Sequence, residues 1–192
     1  MTAEQELHAS LERLGHAFDA LQVQWAICGS FASTVHGEPR ATNDLDVVAN
    51  LRMPHVTPFI AALGGEFYAD EPTIREAITA RDSFNIIDER SFLKIDVFVP
   101  PTGPLGEGQL TRRRVYSLSE SGPSVFVLGP EDTILQKLRW FAQGGRVSDR
   151  QWRDILGVVR LGGELDVNYM REVSATGNLA ELLARALLEG GR

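Results

Sequence analysis

The chain has 192 residues, a length that suits one domain or a catalytic core with a small appendage. Apolar residues make up 43% of the chain, enough for a packed core, and the net charge is −7 at pH 7. No stretch is long and apolar enough to predict a membrane span, and the polar start lacks a signal-peptide pattern. Cys28 is the single cysteine, which excludes an internal disulfide and favours a reducing, cytoplasmic location.

The charge is unevenly distributed along the chain. Residues 1–100 contain 15 acidic and 7 basic side chains, whereas residues 101–192 contain 11 and 12. An acidic first half argues against a broad nucleic-acid-binding face there and fits a site that collects carboxylates around a cation. In the second half, Arg112–Arg114 and the basic helix Arg146–Arg160 are candidates for a local patch. The alternative for Arg112–Arg114 is a solvated face.

The first part of the chain predicts alternating helices and strands. Hydrophobic spacing predicts an amphipathic helix over 3–21 and a short buried strand over 24–28, which stops at Gly29-Ser30. A helix over 30–36 and a strand over 44–49 should follow. The next predicted elements are helices over 54–64 and 73–80, a hairpin of strands 83–87 and 91–99, a Pro/Gly-rich loop over 100–108, and strands over 114–118 and 124–128.

The pattern changes to helical periodicity after Gly129-Pro130. Helices are predicted over 131–142, 149–161, 167–174 and 178–189. The predicted fold class is therefore α/β (α+β). We expect a mixed-sheet core over residues 1–129, followed by a helical subdomain over residues 130–192.

Asp44 and Asp46 form the first part of a candidate metal site. Side chains two residues apart on a strand share a face, so both carboxylates should point the same way, with Leu45 and Val47 facing the core. Two adjacent carboxylates repel each other unless a cation lies between them. A hard divalent ion such as Mg²⁺ is the expected partner because it prefers oxygen ligands.

Asp96 repeats this arrangement on a later strand. Ile95 and Val97 belong to an apolar face, while Lys94 and Asp96 point the other way. If the two strands are neighbours, Asp96 can join the first two carboxylates. Three carboxylates on adjacent strands are what a two-metal phosphoryl-transfer site needs.

A candidate phosphate site precedes the carboxylates in the chain. Gly29 lets the backbone approach a ligand, the start of the helix offers N–H groups, and Ser30 adds a hydroxyl. Arg40 is positioned to reach a phosphate. Taken alone, a Gly-Ser turn is usually a helix cap, and Asp-x-Asp on a strand is more often a solvated edge. Their order along the chain favours the functional interpretation.

Residues 29–48, GSFASTVHGEPRATNDLDVV, together with the downstream KIDVF, resemble the signature of the DNA polymerase beta-like nucleotidyltransferases. The resemblance implies that fold, with Gly29 and Ser30 at the triphosphate of a bound NTP. It implies that Asp44, Asp46 and Asp96 are the catalytic and metal-binding residues. The implied cofactor is two Mg²⁺ ions, with Mn²⁺ as an alternative.

A narrower resemblance comes from His36-Gly37 and Arg40-x-Thr42, which precede the Asp pair. They are similar to motifs of the AbiEii-type nucleotidyltransferases of type IV toxin–antitoxin and phage-defence systems. This branch often has Gly-Gly where this chain has Gly29-Ser30. The branch also often carries a lysine helix and a downstream Arg-Asp element, here Lys137 and Asp154. The resemblance implies that Lys137 contacts the nucleotide, whereas its helical spacing alone allows a solvated lysine.

These residues lead to three functional hypotheses. The first is transfer of a nucleoside monophosphate from an NTP to an acceptor hydroxyl, on tRNA or protein, by an enzyme with a possible cognate antitoxin. The second has the same chemistry with a small-molecule acceptor. The third, from a different class, is a non-catalytic nucleotide- or partner-binding module of a toxin–antitoxin pair. Retention of all three aspartates argues against the third, because a module without catalysis has no need of mutually repelling carboxylates.

Overall fold

The described residues form one mixed sheet and nine α-helices. In a computed structural model of the chain, residues 3–40, 44–117 and 124–192 are described. The strands are β1 (Trp25–Ile27), β2 (Leu45–Ala49), β3 (Phe67–Tyr68), β4 (Ser83–Asp88), β5 (Lys94–Phe98), β6 (Arg114–Ser117) and β7 (Ser124–Val127). The α-helices are α1 (Ala3–Ala20), α2 (Gly29–His36), α3 (Val56–Leu63), α4 (Glu71–Ala80), α5 (Pro104–Thr111), α6 (Pro130–Gln143), α7 (Asp149–Leu161), α8 (Val167–Thr176) and α9 (Ala180–Gly190).

The sheet has the strand order β3-β4-β5-β2-β1-β7-β6. Strand β2 pairs in parallel with β5, and β1 with β7, whereas the other neighbours are antiparallel. These findings confirm the predicted fold class, a mixed-sheet core with a helical C-terminal part. Leu118 of the predicted strand over 114–118 lies outside the described residues, as does Thr42. No helix in the described ranges is long and apolar enough to cross a membrane.

The chain divides into two compact units whose segments interleave. The first comprises Met1–Ile27, Asp44–Pro101 and Arg114–Val127, and the second comprises Cys28–Asn43, Thr102–Arg113 and Leu128–Arg192. The first unit therefore holds the whole sheet, and the second holds α2 and α5 to α9. The simpler division into residues 1–129 and 130–192 stays a prediction.

In the sheet unit, α1 is fixed by both apolar and polar contacts. Leu14 and Phe18 on its inner face are fully buried, and the Phe18 ring stacks on Phe59 with centroids 5.1 Å apart. At the end of β4, the buried carboxylate of Asp88 accepts hydrogen bonds from the Ser10 hydroxyl and the Arg13 guanidinium. The apolar stripe that predicted this helix therefore forms the core of the unit.

The helical unit has its own core, formed by residues from α5 to α9. The buried apolar side chains at its centre include Ile134, Leu138, Ile155, Val158, Met170 and Leu183. These helices are amphipathic, and their apolar faces are buried within the unit because they pack against one another.

The predicted loop over 100–108 is wrong in its second half, because α5 begins at Pro104. Proline is tolerated in the first turn of a helix, where its missing N–H has no intrahelical partner to lose. Gly108 is required by packing, since a Cβ there would lie 1.9 Å from the Tyr169 hydroxyl. The glycine that suggested a loop instead allows α8 to approach α5.

Asp88→Ala should destabilise the sheet unit. It removes a buried carboxylate and leaves Ser10 and Arg13 without their acceptor, which should cost about 3 kcal/mol in the free energy of unfolding. Urea denaturation measures the loss. Glu66→Ala is the matched control, because Glu66 also pairs with Arg13, at 2.9 Å, but is 34% exposed. Its cost should stay below about 1 kcal/mol, and equal losses would contradict the role given to burial.

Candidate active site

The pairing of β2 with β5 brings Asp46 and Asp96 side by side. Their Cα atoms are register partners across the parallel pair, and both side chains are half-buried. The neighbours Val47 and Val97 are fully buried on the opposite face. The predicted alternation is therefore confirmed, and the condition that the two strands are neighbours is met. Asp44 is exposed and lies one residue before β2, so it stands at the strand's entrance rather than within it.

Lys94 neutralises part of the negative charge of these aspartates. Its ammonium lies 2.8 Å from Oδ1 and 2.9 Å from Oδ2 of Asp96. The hydrogen bond to Asp96 raises the pKa of Lys94. Burial opposes the rise, and the charges of Asp96, Asp44 and Asp46 add to it. All three predicted aspartates thus act electrostatically on one ammonium. The sequence pattern predicts that Lys94 shares a face with Asp96, but it does not predict a functional role for Lys94.

The carboxylate oxygens of these aspartates meet some of the requirements of a divalent-ion site. Within residues 3–40, 44–117 and 124–192, no group of three or more His, Cys, Asp or Glu side chains is arranged to hold a metal. Mg²⁺, however, is usually bound through one or two protein carboxylates, with water and substrate phosphates completing its shell. The adjacent pair Asp46 and Asp96 meets that requirement. The chemistry of the donors therefore suits a magnesium site that needs the nucleotide for completion.

In the helical unit, Gly29 and Ser30 begin α2, as the sequence predicted. Gly29 has a φ of 60°, the left-handed region in which other residues are strained, and its N–H lies 3.5 Å from Gln136 Oε1. The Ser30 hydroxyl accepts a hydrogen bond from the Arg40 guanidinium. This contact joins two of the residues predicted to bind the nucleotide.

Arg40 and Lys137 converge on one carboxylate, that of Asp154. Arg40 donates from Nε and Nη2 to the two oxygens of Asp154, both at 2.9 Å, and Lys137 Nζ donates to Oδ2 at 2.8 Å. The Lys137 side chain is only 4% exposed. The interpretation of Lys137 as a solvated lysine is therefore wrong. Asp154 therefore binds two cations, each of a type that can contact a phosphate.

Burial and hydrogen bonding act in opposite directions on Asp154. Burial by itself raises the pKa of this carboxyl group, but hydrogen bonds from Arg40 and Lys137, together with their charges, hold the pKa below its usual value. Asp154 is consequently ionised at neutral pH and can orient both cations. The sequence suggested this role only through the downstream Arg-Asp element.

The His36-Gly37 motif explains how Arg40 reaches Asp154. His36 is buried, with its Nε2 2.6 Å from the Leu128 carbonyl oxygen. A Cβ on Gly37 would lie 2.8 Å from the Val158 backbone nitrogen, so only glycine lets the end of α2 pack directly on α7. Three residues later the chain presents Arg40 to Asp154 on that same helix. The motif is thus a structural device that positions an arginine.

Arg112, the first residue of the basic run Arg112–Arg114, packs within the helical unit, whereas Arg114 is exposed. The Arg112 guanidinium lies over the Tyr169 ring, 4.0 Å from its centroid, and 3.7 Å from carboxylate oxygens of Glu131 and Asp132. Asp132 is fully buried and accepts a hydrogen bond from the Tyr169 hydroxyl at 2.7 Å. Burial and the Asp132 charge raise the pKa of Tyr169. Arg112 therefore belongs to the packing of the helical unit rather than to a solvated or RNA-binding face.

The solved structures place this fold among known proteins. No protein-family model and no curated protein sequence matches the chain. The structure of ANT(2″)-Ia in complex with adenylyl-2″-tobramycin matches with a TM-score of 0.51 and 11% identity, over 94% of this chain and 97% of that one. An antigenic nucleotidyltransferase-like protein from Paracoccidioides brasiliensis has a TM-score of 0.49 and 19% identity, over 95% and 92%. The likeness to ANT(2″)-Ia shows the fold.

Asp154→Asn should destabilise the helical unit by leaving the buried Lys137 ammonium without its counter-charge. We expect a loss of about 3 kcal/mol in the free energy of unfolding, measured by urea denaturation. Adding Lys137→Met should recover part of the loss, because the second change removes the uncompensated charge. The exposed Asp149 on the same helix provides a control, and Asp149→Asn should cost less than about 1 kcal/mol. A double variant less stable than Asp154→Asn would argue against this pairing.

The contribution of Asp154 should also depend on pH with a defined sign. A lowered pKa means that its stabilisation is present above the unfolded-state pKa, about 3.9, and is lost as pH falls through the lower folded-state pKa. The stability difference between wild type and Asp154→Asn should be constant from about pH 7 to pH 5 and shrink below about pH 4. Urea denaturation across this range measures it, and a difference that widens in acid would overturn the assignment.

Proposed function

We propose that the chain is a metal-dependent nucleotidyltransferase, which transfers a nucleoside monophosphate from an NTP to an acceptor hydroxyl and releases pyrophosphate. The observation that carries this proposal is the register pairing of Asp46 with Asp96 on neighbouring parallel strands. Such a pairing of like charges is unfavourable unless a cation is held there. The fold shared with ANT(2″)-Ia, a protein solved with an adenylylated aminoglycoside, supports the same reaction class.

The carboxylates have distinct roles in this proposal. Asp44 and Asp46 would hold two Mg²⁺ ions, and Asp96 would help to hold one of them. Mn²⁺ is an alternative ion. When bound, the ions supply positive charge opposite the phosphates during in-line attack. The acceptor hydroxyl forms the new bond to the α-phosphorus as pyrophosphate leaves, and Asp96 accepts the hydroxyl proton. A carboxylate oxygen can accept a proton as a general base.

The cationic cluster of the helical unit is proposed to bind the phosphates. Gly29 N–H and the Ser30 hydroxyl contact the β- and γ-phosphates, and Arg40 and Lys137 supply charge. Asp154 is a positioning residue, since its contacts in this structure are to Arg40 and Lys137. Their shared carboxylate keeps the two cations oriented before the nucleotide arrives, which lowers the entropic cost of binding it.

The acceptor is proposed to be an RNA 3′ end or a protein side chain, with the chain acting as the toxin of a toxin–antitoxin or phage-defence pair. Support for this part is the AbiEii-type motif, in which His36-Gly37 positions Arg40. A small-molecule acceptor is the competing possibility, and the fold of ANT(2″)-Ia favours it. The two differ in where a transferred label is found.

Asp96→Asn should retain NTP binding and lose transfer by at least about 100-fold, because it removes the proton acceptor while leaving Asp44 and Asp46 in place. The measurement uses each of four α-³²P-labelled NTPs with Mg²⁺ and three acceptor pools: total tRNA, protein and aminoglycosides. Asp44→Ala/Asp46→Ala should lose transfer as well. Asp82→Asn is the matched control, since Asp82 is exposed just before β4, and it should keep wild-type activity.

The distribution of label separates the functional hypotheses. Label on tRNA or protein supports the toxin assignment, and label on an aminoglycoside supports the small-molecule assignment. Mg²⁺-dependent NTP binding without transfer to any pool favours the non-catalytic module. Full turnover in Asp96→Asn would refute the role of Asp96.

A further inference from the structure

The chain has an unusual distribution of lysine. Of its 19 Lys and Arg residues only Lys94 and Lys137 are lysines, and each binds an aspartate of the candidate site. Arginine holds a carboxylate through a planar fork, whereas the lysine ammonium is a compact, strongly hydrated charge on a flexible stem. At these two positions the chain therefore uses the cation that changes partner more easily.

Lys94 lies beside Asp46 and Asp96, where a divalent ion is expected. Its ammonium contacts both oxygens of Asp96, the partner of Asp46 in the β2–β5 register. The side chain is 49% exposed, so its head can move into solvent without unpacking the sheet. The register partners of Asp96 and Lys94 on β4 are Asn85 and Ile87, and neither carries a charge. Lys94 lies two residues before Asp96 on the same face of β5, so strand alternation places its ammonium beside that carboxylate.

We propose that Lys94 is an internal counter-cation that a divalent ion must displace from Asp96. This inference rests on the proposed function, because it assumes that the ion binds at Asp46 and Asp96. Without the ion, the ammonium neutralises the carboxylates and stabilises the strand pair. When the ion binds, the ammonium leaves Asp96 and moves to solvent or to the phosphates of the nucleotide. The metal alone is consequently bound weakly, and its binding is coupled to that of the NTP.

Removal of the ammonium should therefore tighten binding of the metal alone. Lys94→Gln should lower the Kd for Mn²⁺ about three- to fivefold in the absence of nucleotide, the upper end of the range expected for a partly exposed ion pair. Arg90→Gln is the matched control. It removes the same charge from the same hairpin, but Arg90 pairs with Glu66 and is 64% exposed. Its Kd should stay within about twofold of wild type.

Isothermal titration of Mn²⁺ into wild type, Lys94→Gln, Arg90→Gln and Asp46→Asn/Asp96→Asn tests the proposal. Tighter binding in Lys94→Gln alone, abolished in the double aspartate variant, is the expected result. Unchanged or weaker binding in Lys94→Gln, with binding still dependent on the aspartates, would overturn the inference and leave the proposed function intact. Absence of Mn²⁺ binding by both wild type and Lys94→Gln, or binding that survives loss of both aspartates, would overturn both.

A second measurement uses the wild-type chain and so does not depend on how a variant folds. Lys94 and Lys137 carry the only side-chain amines, so an amine-acylating reagent followed by peptide mass spectrometry reports on each separately. Saturating Mn²⁺ should increase labelling of Lys94, because its ammonium is released from Asp96. Lys137, which pairs with Asp154, is the internal reference. Labelling of Lys94 that is unchanged or reduced by Mn²⁺ would contradict displacement.

Discussion

The parallel pairing of β2 with β5 brings two like charges together, and the rest of the candidate site depends on this constraint. In-register pairing puts the half-buried Asp46 next to Asp96, while the alternate residues of both strands are buried. A shift of one residue would relieve the repulsion but would also turn the apolar side chains to solvent. The hydrophobic core therefore brings two carboxylates together, and the Lys94 ammonium bound to Asp96 offsets part of their repulsion.

The helical unit presents the opposite arrangement. There, the Arg40 guanidinium and the Lys137 ammonium both bind the carboxylate of Asp154. Each unit therefore contains a lysine–aspartate pair that offsets charge locally, Lys94 with Asp96 in the sheet unit and Lys137 with Asp154 in the helical unit.

Sequence patterns predicted the parts of this structure that depend on local alternation. Polar and apolar residues alternate along β2 and β5, so the sequence predicts the face of the sheet on which each side chain lies. The helix over 30–36 was also predicted, and α2 begins at Gly29. Contacts between segments that are distant in the chain were harder to predict from the sequence. Helix α5 was missed because its glycine is required by Tyr169, which lies some sixty residues later and leaves no local signal. Lys94 was predicted on the correct face, but alternation along a strand does not show that its ammonium binds Asp96, two residues later on β5.

The His36-Gly37 motif shows how a sequence signature can encode position rather than chemistry. His36 binds the Leu128 carbonyl group, and Gly37 permits backbone contact with α7, the helix that carries Asp154. Neither residue needs to touch a nucleotide for the motif to matter, because together they determine where Arg40 emerges. An arginine at this place makes two parallel hydrogen bonds to Asp154, and a lysine would lose that geometry. Arg40 is thus held in a fixed orientation by two hydrogen bonds, whereas Lys94 is the cation that we propose must leave its partner.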